Sequence, residues 1–403
     1  MTPLPTTVNR RESGIEWSLW IAVLGLMVVG TAFIFSTTGT QELARNAAWY
    51  DWTAMRQVFA YILGLGVVFA LNLVDYGRLA RWALVAYWLS IVLLVGVYVF
   101  GISRHGARRW LDLGPIQFQP SELAKLTFLF AMANFLSRPA GELRSPALFV
   151  KALAMAFLPF ALILKQPDLG SSLVFISMSL VMMFVAGVPQ RYIMKLVGGA
   201  VLLMTLIVVD IIFAPPGLRL IKLHDYQRNR LLVYFDADFA PRNATPEQRL
   251  RGVQLKRQMS WNVEQALISV GSGGLTGKGW REGTQHKLGY LPRLGAHNDF
   301  IFSVIAEEKG FLGSVIVLTL YGVILFTGIK IAGEARDRLG RLLASGVVAL
   351  LFTHVFVNIG MNIKMMPVTG IPLPLLSAGG TSVLCSMVAL GILQNVHLYR
   401  RRY

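Results

Sequence analysis

WSLWIAVLGLMVVGTAFIFS, residues 17–36, is twenty residues long and carries no ionisable side chain. A bilayer core needs about this many apolar residues in helical form, so the stretch reads as a membrane span. It is too long for a secretory signal core, and no small-residue cleavage site follows before the next apolar run. Comparable runs recur outward from it at 57–74, 82–102, 170–188, 193–214, 311–330, 342–363 and 376–398. Two more are interrupted by charge: 121–137 holds Glu122 and Lys125, and 147–164 holds Lys151. The expectation is an all-α polytopic membrane protein of about ten transmembrane helices.

Composition agrees. Of 403 residues 55% are hydrophobic and 15% charged, where a soluble domain runs near a quarter charged. That excludes a disordered chain and a coiled coil and argues against a soluble enzyme. The net charge of +17 would ordinarily raise nucleic-acid binding, but most bases punctuate apolar runs instead of lining one face, so no nucleic-acid partner is expected. The single cysteine, Cys385, excludes an intrachain disulfide and a cysteine metal cluster. With the N-terminus cytoplasmic, that side gathers sixteen Lys and Arg in short loops and tails against seven opposite, which places both termini inside. Residues 1–13 read as a cytoplasmic tail, and 14–403 as one transmembrane domain.

Residues 215–298 form a long extracytoplasmic loop in this count, with thirteen Lys and Arg against six Asp and Glu. Met259, Val263, Ala266, Leu267 and Val270 recur in it at helical spacing. An amphipathic helix over 247–270 is expected, either at the membrane interface with Trp261 as anchor or packed on other parts of the loop.

Ionisable groups at membrane depth cost at least about 2.5–3.5 kcal/mol unless paired or facing a cavity. Glu122 and Lys125, at i,i+3, either pair structurally or present Lys125 to a substrate phosphate. Arg104, Arg108 and Arg109 crowd one outer loop, as lipid-headgroup contacts or as a pyrophosphate site. Asp168 suits a helix cap. Lys278 lies in a glycine-rich stretch, 271–280, that lacks the phosphate-loop order. Asp299 stands where the basic loop meets the eighth apolar run, as a general base, a cap or an arginine partner. For Glu307 and Glu308 a structural role is expected, one of them pairing with Lys309 or a buried arginine. The prolines and glycines of 364–382 cannot form one straight helix, and irregular backbone at this depth survives where it lines a cavity or is buried in protein.

Five ordered segments carry a resemblance: GARRWLDLGPIQFQPSELAKL at 106–126, QPDLGSS at 166–172, GSGGLTGKGWREGTQHKLGYLP at 271–292, HNDFIFSVIAEEKGFLG at 297–313 and PVTGIPLPLLSAGGTS at 367–382. Together they resemble the SEDS family (shape, elongation, division and sporulation). The GTQ at 283–285 and Thr369, where the division branch usually carries lysine, look like the elongation branch. The family usually has Thr at Asn298, Gly at Lys364, Tyr at Ala378 and Gln at Asn262, with a shorter gap between Pro292 and His297.

The resemblance implies a peptidoglycan glycosyltransferase of the bacterial inner membrane. It would polymerise lipid II during cell elongation beside a class B penicillin-binding protein. The family's essential aspartate maps to Asp299, its Glu–Lys pair to Glu122 and Lys125, and its outer-loop arginines to Arg108 and Arg109. Asp299 would take the proton of the acceptor's 4-hydroxyl. Arg108, Arg109, Lys125 and Lys278, or a divalent cation such as Mg or Mn, would stabilise the departing pyrophosphate, with inversion at the anomeric carbon. A lipid-linked precursor flippase and a non-catalytic scaffold for a penicillin-binding protein stay open as alternatives.

Overall fold

A computed structural model describes residues 14–44, 48–104, 107–112, 117–213, 225–237, 239, 245–291 and 295–401. The tail at 1–13, Arg45, His105 and Arg293 lie outside these. The helices run α1 (Trp17–Ala44), α2 (Thr53–Asn72), α3 (Tyr76–Ala80), α4 (Ala83–Phe100), α5 (Pro120–Leu136), α6 (Ala140–Leu143), α7 (Pro146–Lys165) and α8 (Leu169–Ala186). They continue with α9 (Gln190–Phe213), α10 (Asp225–Tyr234), α11 (Pro246–Ser272), α12 (Thr284–Lys287), α13 (Ile301–Glu334), α14 (Arg338–Asn362) and α15 (Gly380–Leu398).

Nine helices among the described residues are long and apolar enough to cross a membrane, and each falls on an expected run. The tenth expected span is α5, 17 residues long, or about 25 Å at 1.5 Å per residue. Its charges break the apolar run, and it packs among α4, α7, α8, α14 and α15. The most enclosed spans are α14 and α15, whereas α9 is the least covered and turns its apolar surface outward. The all-α expectation needs one correction. A small antiparallel sheet, β1 (Ile102–Arg104), β2 (Ala107–Asp112) and β3 (Gln117–Phe118), links α4 to α5. Its short strands pair their backbone groups where the sequence reads only as a cationic loop.

One face of the bundle collects both described chain ends. Glu16 N donates to Gln394 Oε1 (3.2 Å), Arg400 pairs with Glu334 (2.7 Å), and Tyr76 donates to Asp337 (2.9 Å). The sheet, the turn at 166–168, the turn at 295–300 and the segment 363–379 sit at the opposite helix ends.

Helix α13 starts ten residues before the expected run and takes Glu307 and Glu308 into its first turns. It breaks at Gly310, where φ is +64° and ψ is −158°. The freed backbone groups pair with the glycine-rich loop after α11. Lys278 N donates to Glu307 O (3.0 Å), Gly279 N to Glu308 O (3.1 Å), and Phe311 N to Gly274 O (2.8 Å). The strands of chain touch so closely that a Cβ on Gly310 would lie 2.4 Å from Gly277 N.

The predicted amphipathic helix exists as α11, opened by a capping box of Thr245 and Gln248 with Pro246 at the first turn. Its buried residues are Ser260, Val263, Gln265, Ala266 and Ser269, most of them small, and the helix packs against α13. Of the apolar residues that recur at helical spacing, Val263 and Ala266 are buried, and Met259 and Leu267 stay exposed. Trp261 Nε1 donates to Tyr290 O (3.0 Å), so this side chain holds the loop to itself.

Two substitutions test these backbone constraints in opposite directions. Lys364 has φ +60°, in the left-handed region that costs a non-glycine residue about 1–2 kcal/mol. Lys364→Gly is expected to raise thermal stability in detergent by about 0.5–1 kcal/mol, the gain being trimmed by glycine's own entropy. Gly310→Ala, which combines positive φ with a steric overlap, is expected to lower it by at least about 2 kcal/mol.

Candidate functional site

Asp299 is not the cap of α13. That position belongs to Phe300, and the carboxylate stands one residue outside the helix, half-buried in a tight turn. The turn is held from behind. Asn358 Nδ2 and Asn362 Nδ2 each donate to Asp299 O at 3.1 Å, and Ser303 Oγ steadies Asn362 through its Oδ1 (2.5 Å). Ser377 Oγ donates to Asn298 O (2.6 Å) and Ala378 N to His297 O (2.9 Å). Asp299 Oδ2 lies 3.7 Å from where Gly370 would carry a Cβ. The bare glycine, at φ +77°, therefore forms the surface opposite the acid.

The segment 363–379 is irregular, as its prolines and glycines demand, and its carbonyls are claimed by side chains from surrounding helices. Arg230 donates to Val368 O (2.7 Å), Asn358 to Ile371 O (2.8 Å), Tyr321 to Pro374 O (2.5 Å) and Gln57 to Ser377 O (3.1 Å). Tyr61 donates to Leu375 O. Pro372 O accepts from His354 Nδ1 at 3.3 Å. This is how non-helical backbone is tolerated at membrane depth.

Behind the segment lies the expected ion pair, with an unexpected third member. Lys125 Nζ is 2.7 Å from Glu122 Oε1 and 3.0 Å from His354 Nε2. With Nδ1–H turned to Pro372 O, Nε2 is the imidazole's acceptor and receives a hydrogen bond from a lysine N–H. A cavity is lined by Glu122, Lys125, His354, Pro374, Cys385 and Ser386. His354, Asn358 and Asn362 stand four residues apart on α14, so one helix face serves both the ion pair and the Asp299 turn, about 6 Å apart along the axis for each step. The sequence signal for this face was its polar stripe inside an otherwise apolar span, where polar side chains turn toward the bundle interior. The sequence pattern alone did not single out His354 or Asn362.

The other cations are placed structurally. Arg109 donates from Nε to Gln166 O (3.0 Å) and also to Pro167 O, and its guanidinium lies 3.7 Å from Asp168. Asp168 caps α8 as expected, accepting from Ser171 N and Oγ at 3.0 Å. Arg108 is in β2 beside it, with its side chain outside the described ones. Lys278 pairs with Glu307 (2.6 Å), whose Oε1 also accepts from Thr284 N (2.8 Å) and Gln285 N (3.1 Å). Glu308 takes Ser36 Oγ (2.6 Å) and Arg281 N (3.0 Å). Neither glutamate pairs with Lys309, which instead stacks over Trp280. Lys364 lies close to Asp236, whose carboxyl is held below its usual range chiefly by Lys256 and to a lesser degree by Lys364.

Comparison with known proteins follows this geometry across the whole chain. The family model of the FtsW, RodA and SpoVE cell cycle proteins matches residues 16–402. The peptidoglycan glycosyltransferase MrdB of Escherichia coli (strain K12) is 35% identical over 389 residues, covering 96% of this chain and 94% of that protein. A chain from a solved peptidoglycan synthase complex, described as coordinating polymerization and crosslinking, superposes with a TM-score of 0.77 at 30% identity, covering 97% and 99% of the two chains. The crystal structure of the rod shape determining protein RodA of Thermus thermophilus does so with a TM-score of 0.65 at 29% identity, over the same shares. The chain belongs to the SEDS family, the family of FtsW, RodA and SpoVE.

Proposed function

We infer that this protein is a peptidoglycan glycosyltransferase that polymerises lipid II into glycan strands during cell elongation. The observation that carries the mechanism is Asp299: a half-buried carboxylate on a backbone fixed by Asn358 and Asn362, at the end of the bundle opposite both described chain ends. The basic loops of that other end put it in the cytoplasm, and Asp299 then faces outward from the inner membrane. Its carboxylate takes the proton as the acceptor's 4-hydroxyl attacks the donor's anomeric carbon, and undecaprenyl pyrophosphate leaves with inversion. Because the donor brings a good leaving group, no protein nucleophile is required.

Of the four cations proposed for the pyrophosphate, Lys125 lines a small buried cavity behind the segment 363–379. Its ammonium has three N–H groups, and Glu122 and His354 engage two. Arg109 and Lys278 shape the walls through Asp168 and Glu307. Among the described residues no three His, Cys, Asp or Glu side chains gather to hold a metal. A Mg or Mn ion would therefore fit here only in the mode that shares its coordination with substrate phosphates. A class B penicillin-binding protein is the proposed crosslinking partner, which the solved synthase complex supports.

The purified protein, given lipid II in detergent, is expected to make strands, and Asp299→Asn to lose at least about 100-fold in rate while still binding lipid II. Wild-type rates in a folded Asp299→Asn protein would instead favour the flippase or scaffold reading. His354 is a positioning residue in this scheme. His354→Gln, which keeps a donor and an acceptor, is expected to retain most activity, and His354→Leu to lose about tenfold or more.

A further inference from the structure

Resting on that reading, we propose that Thr369 and Asn298 form the wall that recognises the acceptor sugar, their side-chain oxygens pairing with its hydroxyl and N-acetyl groups beside Asp299. Thr369 is 2% exposed, yet its Oγ1 has no hydrogen-bond partner, and neither has Asn298 Oδ1. Buried polar atoms are nearly always paired, and an orphan is destabilising unless something else supplies the missing bond. These two orphans flank the reacting acid. Asn298 directly precedes Asp299, and Thr369 directly precedes Gly370, whose missing side chain leaves room for Asp299 Oδ2.

Neither group is free to move off. Thr369 is backed by Gly170 at the start of α8, where a Cβ would come within 3.1 Å of Thr369 Cβ and 2.4 Å of Ile371 Cγ1. The Asn298 carbonyl is fixed by Ser377 Oγ at 2.6 Å. The residue before Asp299 and the residue before the facing Gly370 thus each carry a neutral oxygen without a partner. Neutral oxygens suit the O–H and amide N–H groups of an acetylated sugar. A pyrophosphate would call for cations; beside Thr369 the Arg230 guanidinium is engaged by Val368 O at 2.7 Å, and Lys125 lies behind the segment. An amide oxygen can only accept, whereas the threonine hydroxyl both donates and accepts, so together they can serve one amide N–H and one hydroxyl. Both oxygens are closed from solvent in this structure, so the sugar must part the chain at Gly370 to supply the missing bonds.

The test is binding of fluorescent lipid II and strand synthesis by wild type, Thr369→Val, Thr369→Ser, Asn298→Ala and Asp299→Asn, with thermal unfolding of each. Thr369→Val keeps the shape and removes the hydroxyl. It is expected to weaken binding and lower kcat/KM by about tenfold or more, while its unfolding midpoint equals or exceeds that of wild type. Thr369→Ser is expected to stay within about threefold in both readouts, and Asn298→Ala to weaken binding. The proposal is overturned if Thr369→Val binds and polymerises like wild type, or if its losses track a lowered unfolding midpoint. If Asp299→Asn makes strands at the wild-type rate, the catalytic reading fails instead, and the binding comparison still decides the role of Thr369.

Discussion

Inside a bilayer there is no water to satisfy a peptide carbonyl, and this constraint shapes the site. The segment 363–379 leaves helical geometry at the depth where that is most costly. It persists because Gln57, Tyr61, Tyr321, His354 and Asn358 come from three helices to meet its carbonyls, with Arg230 reaching in from the outer loop. Each of these bonds replaces an otherwise unmet acceptor, and together they fix where Gly370 lies. The acid is therefore placed by the membrane's demand on a neighbouring loop, transmitted through Asn358, which binds Ile371 O and Asp299 O with one amide.

The buried ion pair enters the same framework. Glu122 and Lys125 alone would be a desolvated couple of uncertain benefit, because removing two charges from water offsets much of their attraction. His354 changes the arrangement by tying the lysine to Pro372 O. A shift of the lysine toward a ligand is thereby felt by the segment that faces Asp299. The glycine-rich loop does a similar service on the other side. It satisfies the broken turn at Gly310, while Lys278 neutralises Glu307 within the start of α13.

The spans were legible because burial in lipid writes long apolar runs, and α5 could be read despite its charges because its flanks kept the pattern. The start of α13 was not: Glu307, Glu308 and Lys309 interrupt the run, and they are made tolerable there by the loop at 278–285 together with Ser36 of α1. The strands at 102–118 are too short to imprint alternation. The apolar face of α11 was legible, with Met259 and Leu267 exposed, whereas its contact face was not, because Ser260, Ala266 and Ser269 serve close approach and not hydrophobicity. Asp299 was visible as an acid at a boundary. Its supports were not, since Asn362 and His354 read as isolated polar residues until α14 aligns them. Arg109 read as a ligand-binding cation because its partners are backbone carbonyls at 166–167, which no side-chain pattern reveals. The left-handed backbone at Lys364 is one that glycine would adopt without strain.

The central claim is that the Asp299 carboxylate accepts a proton in the bond-forming step. The pH dependence of strand synthesis measures this most directly, with kcat/KM followed downward from neutral pH for the wild type and for Asp299→Asn. A general base gives the wild type an acidic limb set by one ionisation, and the amide variant a low rate that does not follow it. An acidic limb of the same position and amplitude in both proteins would contradict the account.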